Sequence, residues 1–515
     1  MRAVRRGGLF LGRHVMAIKI IMLVIFFAVL ITVGIICRKK SAGVENFVLG
    51  GRSVGPWLTA FAYGTSYFSA VIFIGYAGQF GWKFGVSSSW IGIGNAVIGS
   101  LLAWLILARK TRIITQKLDS KTMPDFFAKR YDASSLRIGA SIIIFIFLIP
   151  YTASLYNGLS RLFQMAFNID YAVCIIVMAA LTAVYVIAGG YLATAINDFI
   201  QGIIMLIGIV MTVVAVLKLH GGLSGSIDAM SLVEDASSGI AAGDMTKLFG
   251  PDPWGLLGVV ILTSLGTWGL PQMVQKFYAI RDEKAVTRGT IISTLFAVIV
   301  AGGCYFLGGF GRLFLTPDEV SEMGYDAIVP EMLSRLPDFM ISVVVILVLS
   351  ASMSTLSSLV LTSSSTLTLD FIDGSIVKDM KEEKKVTTMR ILVFVFIVIS
   401  AILALVQYRS KVTFIAQLMG ISWGALAGSF LAPFLFGLYW KGSTKAATWT
   451  CFIYGSLIMV LNMLCKGIFP SFLQSPVNCG AFAMLSGFVI FPVVSAFTQK
   501  PDEKKTQELL DSAKR

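Results

Sequence analysis

Stretches of about twenty mostly apolar residues recur thirteen times along the chain. Each is long enough to cross the roughly 30 Å hydrocarbon core of a bilayer as a helix. They fall near 15–37, 57–82, 86–108, 136–166, 171–188, 190–217, 253–279, 287–315, 337–369, 388–407, 412–440, 446–466 and 478–498, and are called here spans one to thirteen. Lipid offers the backbone no hydrogen-bond partner, so each stretch must satisfy its own amides, which a helix does. The pattern therefore predicts an all-α integral membrane protein of about 13 transmembrane helices. Of the 515 residues, 56% are hydrophobic and only 14% charged, where a soluble chain carries about 25% charged residues. An ordinary cytosolic enzyme, a secreted disulfide scaffold and a disordered regulator are excluded. No soluble domain is left over, and the longest polar connections lie near 109–135, 218–252 and 316–336.

The formal net charge is +14. Lys and Arg gather in the loops after spans one, three, five, seven, nine and eleven and in the C-terminal tail. The positive-inside rule then predicts a multi-pass protein of the plasma (inner) membrane with its C-terminus in the cytoplasm and, for an odd number of spans, its N-terminus outside. Arg2, Arg5, Arg6 and Arg13 oppose that orientation. A signal peptide would explain them less well than a start at Met16, because the apolar run is long and no small-x-small cleavage site precedes Arg38-Lys39-Lys40. The basic residues are not interleaved with aromatics on a polar segment, so nucleic acid is not an expected partner. Cys37, Cys174, Cys304, Cys451, Cys465 and Cys479 form no Cys-x-x-Cys, and His14 and His220 are the only histidines. A zinc or haem site is not expected, and the cysteines read as small buried hydrophobes.

Four spans depart from plain apolar helix. Span two carries Ala62-Tyr63-Gly64-Thr65-Ser66-Tyr67-Phe68-Ser69-Ala70 followed by Gly75, Gly78 and Gly81. Small residues can serve close helix packing, but this density also fits an unwound segment whose carbonyls suit a hard cation such as Na⁺. Span seven repeats the feature five spans later in Thr263-Ser264-Leu265-Gly266-Thr267-Trp268-Gly269-Leu270-Pro271-Gln272. Pro271 removes a backbone donor and clashes with the preceding turn. Two interrupted spans at matching places in two five-span halves point to a transporter site at the membrane midplane. In span nine, Ala351, Ser354, Thr355 and Ser358 share one helical face by their i, i+3, i+4, i+7 spacing, with Ser357 on its flank. Such hydroxyls can face a cation or bond back to the preceding turn. Span six holds Asp198, whose charge at mid-membrane costs roughly 2.5–3.5 kcal/mol on insertion scales. It either faces inward to help hold a cation, or lies near a membrane face or pairs with Arg161 or Lys276.

At these residues the chain resembles the sodium:solute symporter family, in particular its pantothenate, monocarboxylate and proline branches. The markers are Phe47-Val48-Leu49-Gly50-Gly51-Arg52-Ser53, Gly189-Gly190-Tyr191-Leu192-Ala193, Gly269-Leu270-Pro271-Gln272 and Ala351-Ser352-Met353-Ser354-Thr355-Leu356. The resemblance implies a LeuT-type 5+5 inverted repeat with discontinuous first and sixth core helices. Residues 47–440 would form the ten-helix core, 1–46 an N-terminal segment with a peripheral helix, 441–498 two further peripheral helices and 499–515 a cytoplasmic tail. It also implies a main Na⁺ site made of the carbonyls of Thr65, Phe68 and Ala351 and the hydroxyls of Ser354 and Thr355. A second Na⁺ site, kept by some members, would match Asp198, Ser354, Ser357 and Ser358.

The expected activity is secondary active transport, with inward Na⁺ flux driving uptake of a small carboxylate-bearing solute by alternating access. Its pocket would lie between spans two, three, four, seven and eleven, with Tyr67, Ser69, Trp90, Tyr151, Thr267, Trp268 and Gln272 as candidates. Thr263 and Thr267 stand where the proline branch has Trp and Tyr, and Tyr67 replaces an acidic residue beside the first break. The runs around Tyr67 and Asn197-Asp198 look more like the pantothenate and monocarboxylate branches. A sugar or sialic acid symporter is the alternative, though no arginine matches the sialic acid pattern at mid-depth of core helix three. An ion channel would want a continuous polar pore, and an enzyme a nucleophile–base pair or metal cluster that this sequence does not display. The expected partners are Na⁺, a small solute and membrane lipid.

Overall fold

The computed structural model describes residues 2–38, 43–377, 379–410 and 415–513. Lys39 and Lys40, and residues 412–414 of span eleven, lie outside them. The described chain is helical, with only isolated bridges between Val54 and Ile280 and between Asp235 and Ile240. Helix α1 is Arg2–Cys37, α2 Pro56–Tyr67 and α3 Ala77–Phe84; α4 covers 89–117 with π-helical turns. They are followed by α5 Met123–Tyr131, α6 Ser134–Phe167, α7 Tyr171–Lys218, α8 Pro253–Leu265, α9 Pro271–Tyr278 and α10 Glu283–Gly308. The remainder are α11 Asp338–Thr366, α12 Glu382–Ser410, α13 Ile415–Tyr439, α14 Lys445–Leu464, α15 Pro476–Ala496 and α16 Glu503–Asp511. Starts are set by ordinary chemistry: Pro opens α2, α8 and α9 at a position where a missing N–H is harmless. The Asp252 and Asp282 carboxylates cap α8 and α10 by accepting from Gly255 N (2.9 Å) and Ala285 N (2.7 Å).

Among the described residues ten helices are long and apolar enough to cross a membrane, and α8 with α9 forms an eleventh bent by 40°. Over their described residues the thirteen apolar stretches of the sequence are largely helical, but three do not reach full length as single helices: span seven, divided between α8 and α9, and spans two and five. Span two is cut at Phe68, leaving α2 with only 12 residues. Span five supplies the first limb of α7, whose apolar part is Tyr171–Val184. The limb ends at Gly190, which sits at φ 58°, ψ −164°. A Cβ there would lie 2.9 Å from the Phe47 ring, so both the backbone conformation and the contact require glycine.

The centre is occupied by α11 and α13, whose most apolar stretches are 83% and 89% buried, against 22% for α1 and 39% for α12. The outer helices instead expose Ile20, Val24, Ile391, Ile402, Leu457 and Val489, side chains that a lipid surround accommodates. At one end, Val54 N donates to Ala279 O (3.2 Å) and Arg281 N to Val54 O (3.1 Å). Arg112 adds bonds to Ile280 O (3.0 Å) and Arg281 O (2.7 Å). This clamp joins the chain just before α2 to the chain just after α9, so the ends of the two broken spans are tied together.

Candidate cation and solute site

The first break follows from local backbone geometry. Phe68 leaves the helix at φ −99°, ψ 94°, its N–H still bonded to Gly64 O. The chain re-enters helix through π turns at Val71–Tyr76. Carbonyls in the last turn of α2 thereby lose intrahelical donors. One of them, Thr65 O, accepts from both Ser354 Oγ and Thr355 Oγ1, each at 3.1 Å. The same hydroxyls also reach Ala351 O, at 3.2 and 3.0 Å. Four neutral oxygens are thus brought together, the Ser354 and Thr355 hydroxyls each within hydrogen-bond reach of the Thr65 and Ala351 carbonyls, all on buried residues. Phe68, the fifth expected member, marks the break itself. Hard neutral oxygens from an unwound segment and a facing helix are what an alkali cation needs in place of its hydration shell. Hydroxyls can turn their lone pairs toward an ion when one enters.

The hydroxyls of α11 make two kinds of contact. Off the stripe, Ser352 returns to its own helix at Val348 O (2.8 Å); on it, Ser354, Thr355 and Thr366 also bond back, to Ser350 O (2.9 Å), Ala351 O (3.0 Å) and Thr362 O (2.9 Å). The stripe also crosses to other elements: Ser358 Oγ lies 2.7 Å from Ser66 Oγ on α2, and Thr362 donates to Gln275 Oε1 on α9 (2.8 Å). Flanking Ser357 bonds back to Ser354 O (2.8 Å). Asp198 is fully buried on the second limb of α7, and its ion partner is Lys276 of α9, with Nζ 3.8 Å from Oδ2. Of the two partners considered from sequence, Lys276 is therefore the one in place. Arg161 instead lines a 660 Å³ cavity with Asn157, Asp326 and Gln407 at the end away from the clamp.

The second break runs through a 3₁₀ turn at Gly266–Trp268 to extended Leu270 (φ −82°, ψ 122°) before α9. Gly269 is required here by contact, since a Cβ would lie 2.9 Å from Leu431 N of α13. Thr267 donates to Ser264 O (2.9 Å) and Gly99 O (3.3 Å), and Trp268 Nε1 to Ile98 O (3.0 Å). Both are engaged with α4. The Tyr67 hydroxyl donates to Thr263 O, bridging the two broken spans. Thr263 and Ser264 both donate to Asn95 Oδ1 (2.9 and 3.0 Å).

The expected solute residues separate into two groups. Tyr67 and Tyr151 both pack on Trp423 of α13, with ring centroids 6.1 and 5.9 Å away. Ser69 Oγ, Tyr151 OH, Trp423 Nε1 and both amide atoms of Gln272 are buried polar atoms without a hydrogen-bond partner in the protein. Unsatisfied groups at this depth are what a polar ligand would complete. Trp90 is not part of this group: its indole donates to Leu248 O (2.8 Å) and stacks on Phe249, fastening α4 to an outer loop. Trp423 was missed from sequence because glycine, serine and Pro433 are spread along its span instead of gathering into a break beside Ser422-Trp423-Gly424.

Two solved structures are similar to this chain in fold. A Na⁺-coupled sialic acid symporter, described in a substrate-bound outward-open state, matches with a TM-score of 0.76 at 15% identity, covering 94% of this chain and 98% of that one. Mhp1, a nucleobase-cation-symport-1 family transporter, matches with a TM-score of 0.51 at 15% identity, covering 92% and 99%. The fold is therefore the LeuT-type fold of secondary transporters, not that of an enzyme. Residues 47–455 match the sodium:solute symporter family, and the chain belongs to it. It is 29% identical over 498 residues to sodium/proline symporters of Staphylococcus aureus, strains JH9 and NCTC 8325 among them, with 93% of each chain covered.

Proposed function

We propose that this multi-pass membrane protein couples inward Na⁺ flux to uptake of a small carboxylate-bearing solute, with an amino acid such as proline the first to test. The observation that carries the reading is the convergence of Ser354 and Thr355 on the carbonyl of Thr65, where span two is unwound. Na⁺ entering there would be held by Thr65, Phe68, Ala351, Ser354 and Thr355, tying α2 to α11. The ordered break would in turn present Tyr67 and Ser69 to the solute beside Tyr151, Trp423 and Gln272. Thr267 and Trp268 act from the α4 side by fixing the second break. A solute carboxylate is suited to the half-helix N-terminus at Pro271. The basic loops favour a C-terminus in the cytoplasm and an N-terminus outside in the plasma membrane. Each Na⁺ moving inward then gains roughly 2.3 kcal/mol per 100 mV.

The relatedness to sodium/proline symporters supports an amino acid, while Thr263, Thr267 and Tyr67 separate this pocket from the proline branch and keep pantothenate and monocarboxylates in the test. Purified protein in liposomes is given an inward Na⁺ gradient and labelled proline, pantothenate or pyruvate. Saturable uptake of one of them that vanishes when choline replaces Na⁺ is expected. Uptake equal in Na⁺ and choline would contradict the proposal.

A further inference from the structure

Lys276 occupies a place for which Na⁺ coupling through Thr65, Ser354 and Thr355 has no use. Its ammonium donates to Ser358 Oγ at 2.8 Å, lies 3.8 Å from Asp198 Oδ2 and sits 5.2 Å from the centre of the Tyr191 ring. The side chains of Lys276 and Asp198 are 4% and 0% exposed. Among the described residues neither Asp198 oxygen accepts a hydrogen bond, and the ammonium is its ion partner. Ser358 Oγ accepts from Lys276 and also shares a hydrogen bond with Ser66 Oγ, 2.7 Å away. A carboxylate and a serine hydroxyl that could serve a second Na⁺ therefore both face an ammonium.

Charge decides what this site can hold. One carboxylate and one ammonium sum to zero, so the pair asks for no further ion. Adding Na⁺ would place two cations against one carboxylate in a buried site, where like charges are weakly screened. Removing the ammonium would leave a lone buried carboxylate, which calls for a cation. The second site expected from the family resemblance does not fit Na⁺ in this chain.

We propose that the Lys276 ammonium is a tethered cation standing in for a second Na⁺ at Asp198 and Ser358, so that one Na⁺ accompanies each transport cycle. The tether gives this cation a property that a free ion lacks. Lys276 belongs to α9, the half-helix beyond the second break, while Asp198 belongs to α7, Ser358 to α11 and Ser66 to α2. The charge enters and leaves the site only as α9 moves, so site occupancy reports the position of the broken span without depending on Na⁺ concentration. Neighbouring Gln275 reinforces the docking, accepting from Thr362 (2.8 Å) and donating to Val48 O (3.3 Å).

Equilibrium binding of ²²Na⁺ to the purified full-length protein tests this directly. Wild type and Lys276→Arg should bind one ion per chain. Lys276→Met should bind two, and the second should be lost again in Lys276→Met/Asp198→Asn, which is neutral at both positions. Two ions in wild type would overturn the proposal whether or not any variant folds. One ion in Lys276→Met, with the first still bound, would overturn it as well. No ion in wild type would overturn the Na⁺-coupled reading itself, and the tethered cation with it.

Discussion

Ser354 and Thr355 contact Thr65 O across the break as well as carbonyls of their own helix, and the weight of the first contact can be measured. Replacing either by Ala removes one neutral oxygen from the proposed ion shell while leaving a buried helix intact. A hydrogen-bonding group is worth about 1–1.5 kcal/mol in such a setting. The Na⁺ concentration for half-maximal uptake should therefore rise about tenfold in Ser354→Ala and in Thr355→Ala. It should stay within about twofold of wild type in Ser352→Ala, whose hydroxyl bonds only to its own helix. Asp326 offers a separate test outside the spans. Burial pushes its carboxyl up from an ordinary value near 3.8 to about 6, opposed by the Ile415 N–H, which donates to Oδ2 at 3.2 Å, and by Arg161. The folded protein thus holds this proton over a range where the unfolded chain has released it. Stability falls as pH rises from about 4 to about 6, by about 3 kcal/mol for this one group. Asp326→Asn should remove that component, seen as a flatter melting temperature against pH than wild type over this window.

At the scale of elements, the broken helices were legible because glycine, proline and hydroxyl residues crowd at matching places in two spans, which helix packing alone does not require. The α11 stripe was legible because helical periodicity alone puts 351, 354, 355 and 358 on one face. Trp423 and the outer role of Trp90 were not, since an aromatic in an apolar span looks the same whether it lines a pocket or fastens a loop. The sequence left Asp198 holding a cation, lying near a membrane face or pairing with a neighbour such as Arg161 or Lys276, and only the fold brings Lys276 of α9 to it. Arg312, just past α10, was equally silent. It donates to Trp82 O (2.9 Å), covers the Trp82 ring at 4.2 Å and pairs with Asp235 at 3.0 Å, both side chains 4% exposed. The Ser237 hydroxyl, Arg312 and Ser238 hold the Asp235 carboxyl well below its usual range. This residue joins the C-terminal end of α3, the end of α10 and the 232–250 loop. Arg312→Ala should cost about 3–5 kcal/mol by stranding Asp235, read as a lowered melting temperature in detergent. Arg312→Lys, which keeps the charge but loses the planar fork, should fall between the two.

For the whole molecule, the clamp of Val54, Ile280 and Arg112 gives the two broken spans a common end, while α6, α7, α11 and α12 pack around them. Alternating access requires one group to move against the other with the ion site at their boundary. A cross-link between cysteines placed at positions 54 and 280, within the clamp, should leave uptake near wild type. One between positions 66 and 358, across the α2–α11 boundary, should abolish it until reduced. Equal inhibition by both would mean that the clamp does not move as a unit. The most direct measurement is equilibrium ²²Na⁺ binding to purified wild type and to Ser354→Ala/Thr355→Ala, with folding verified by melting temperature. Saturable binding in wild type and its loss in a folded double variant are predicted. Undiminished affinity in that variant would contradict an ion held between the unwound segment and α11.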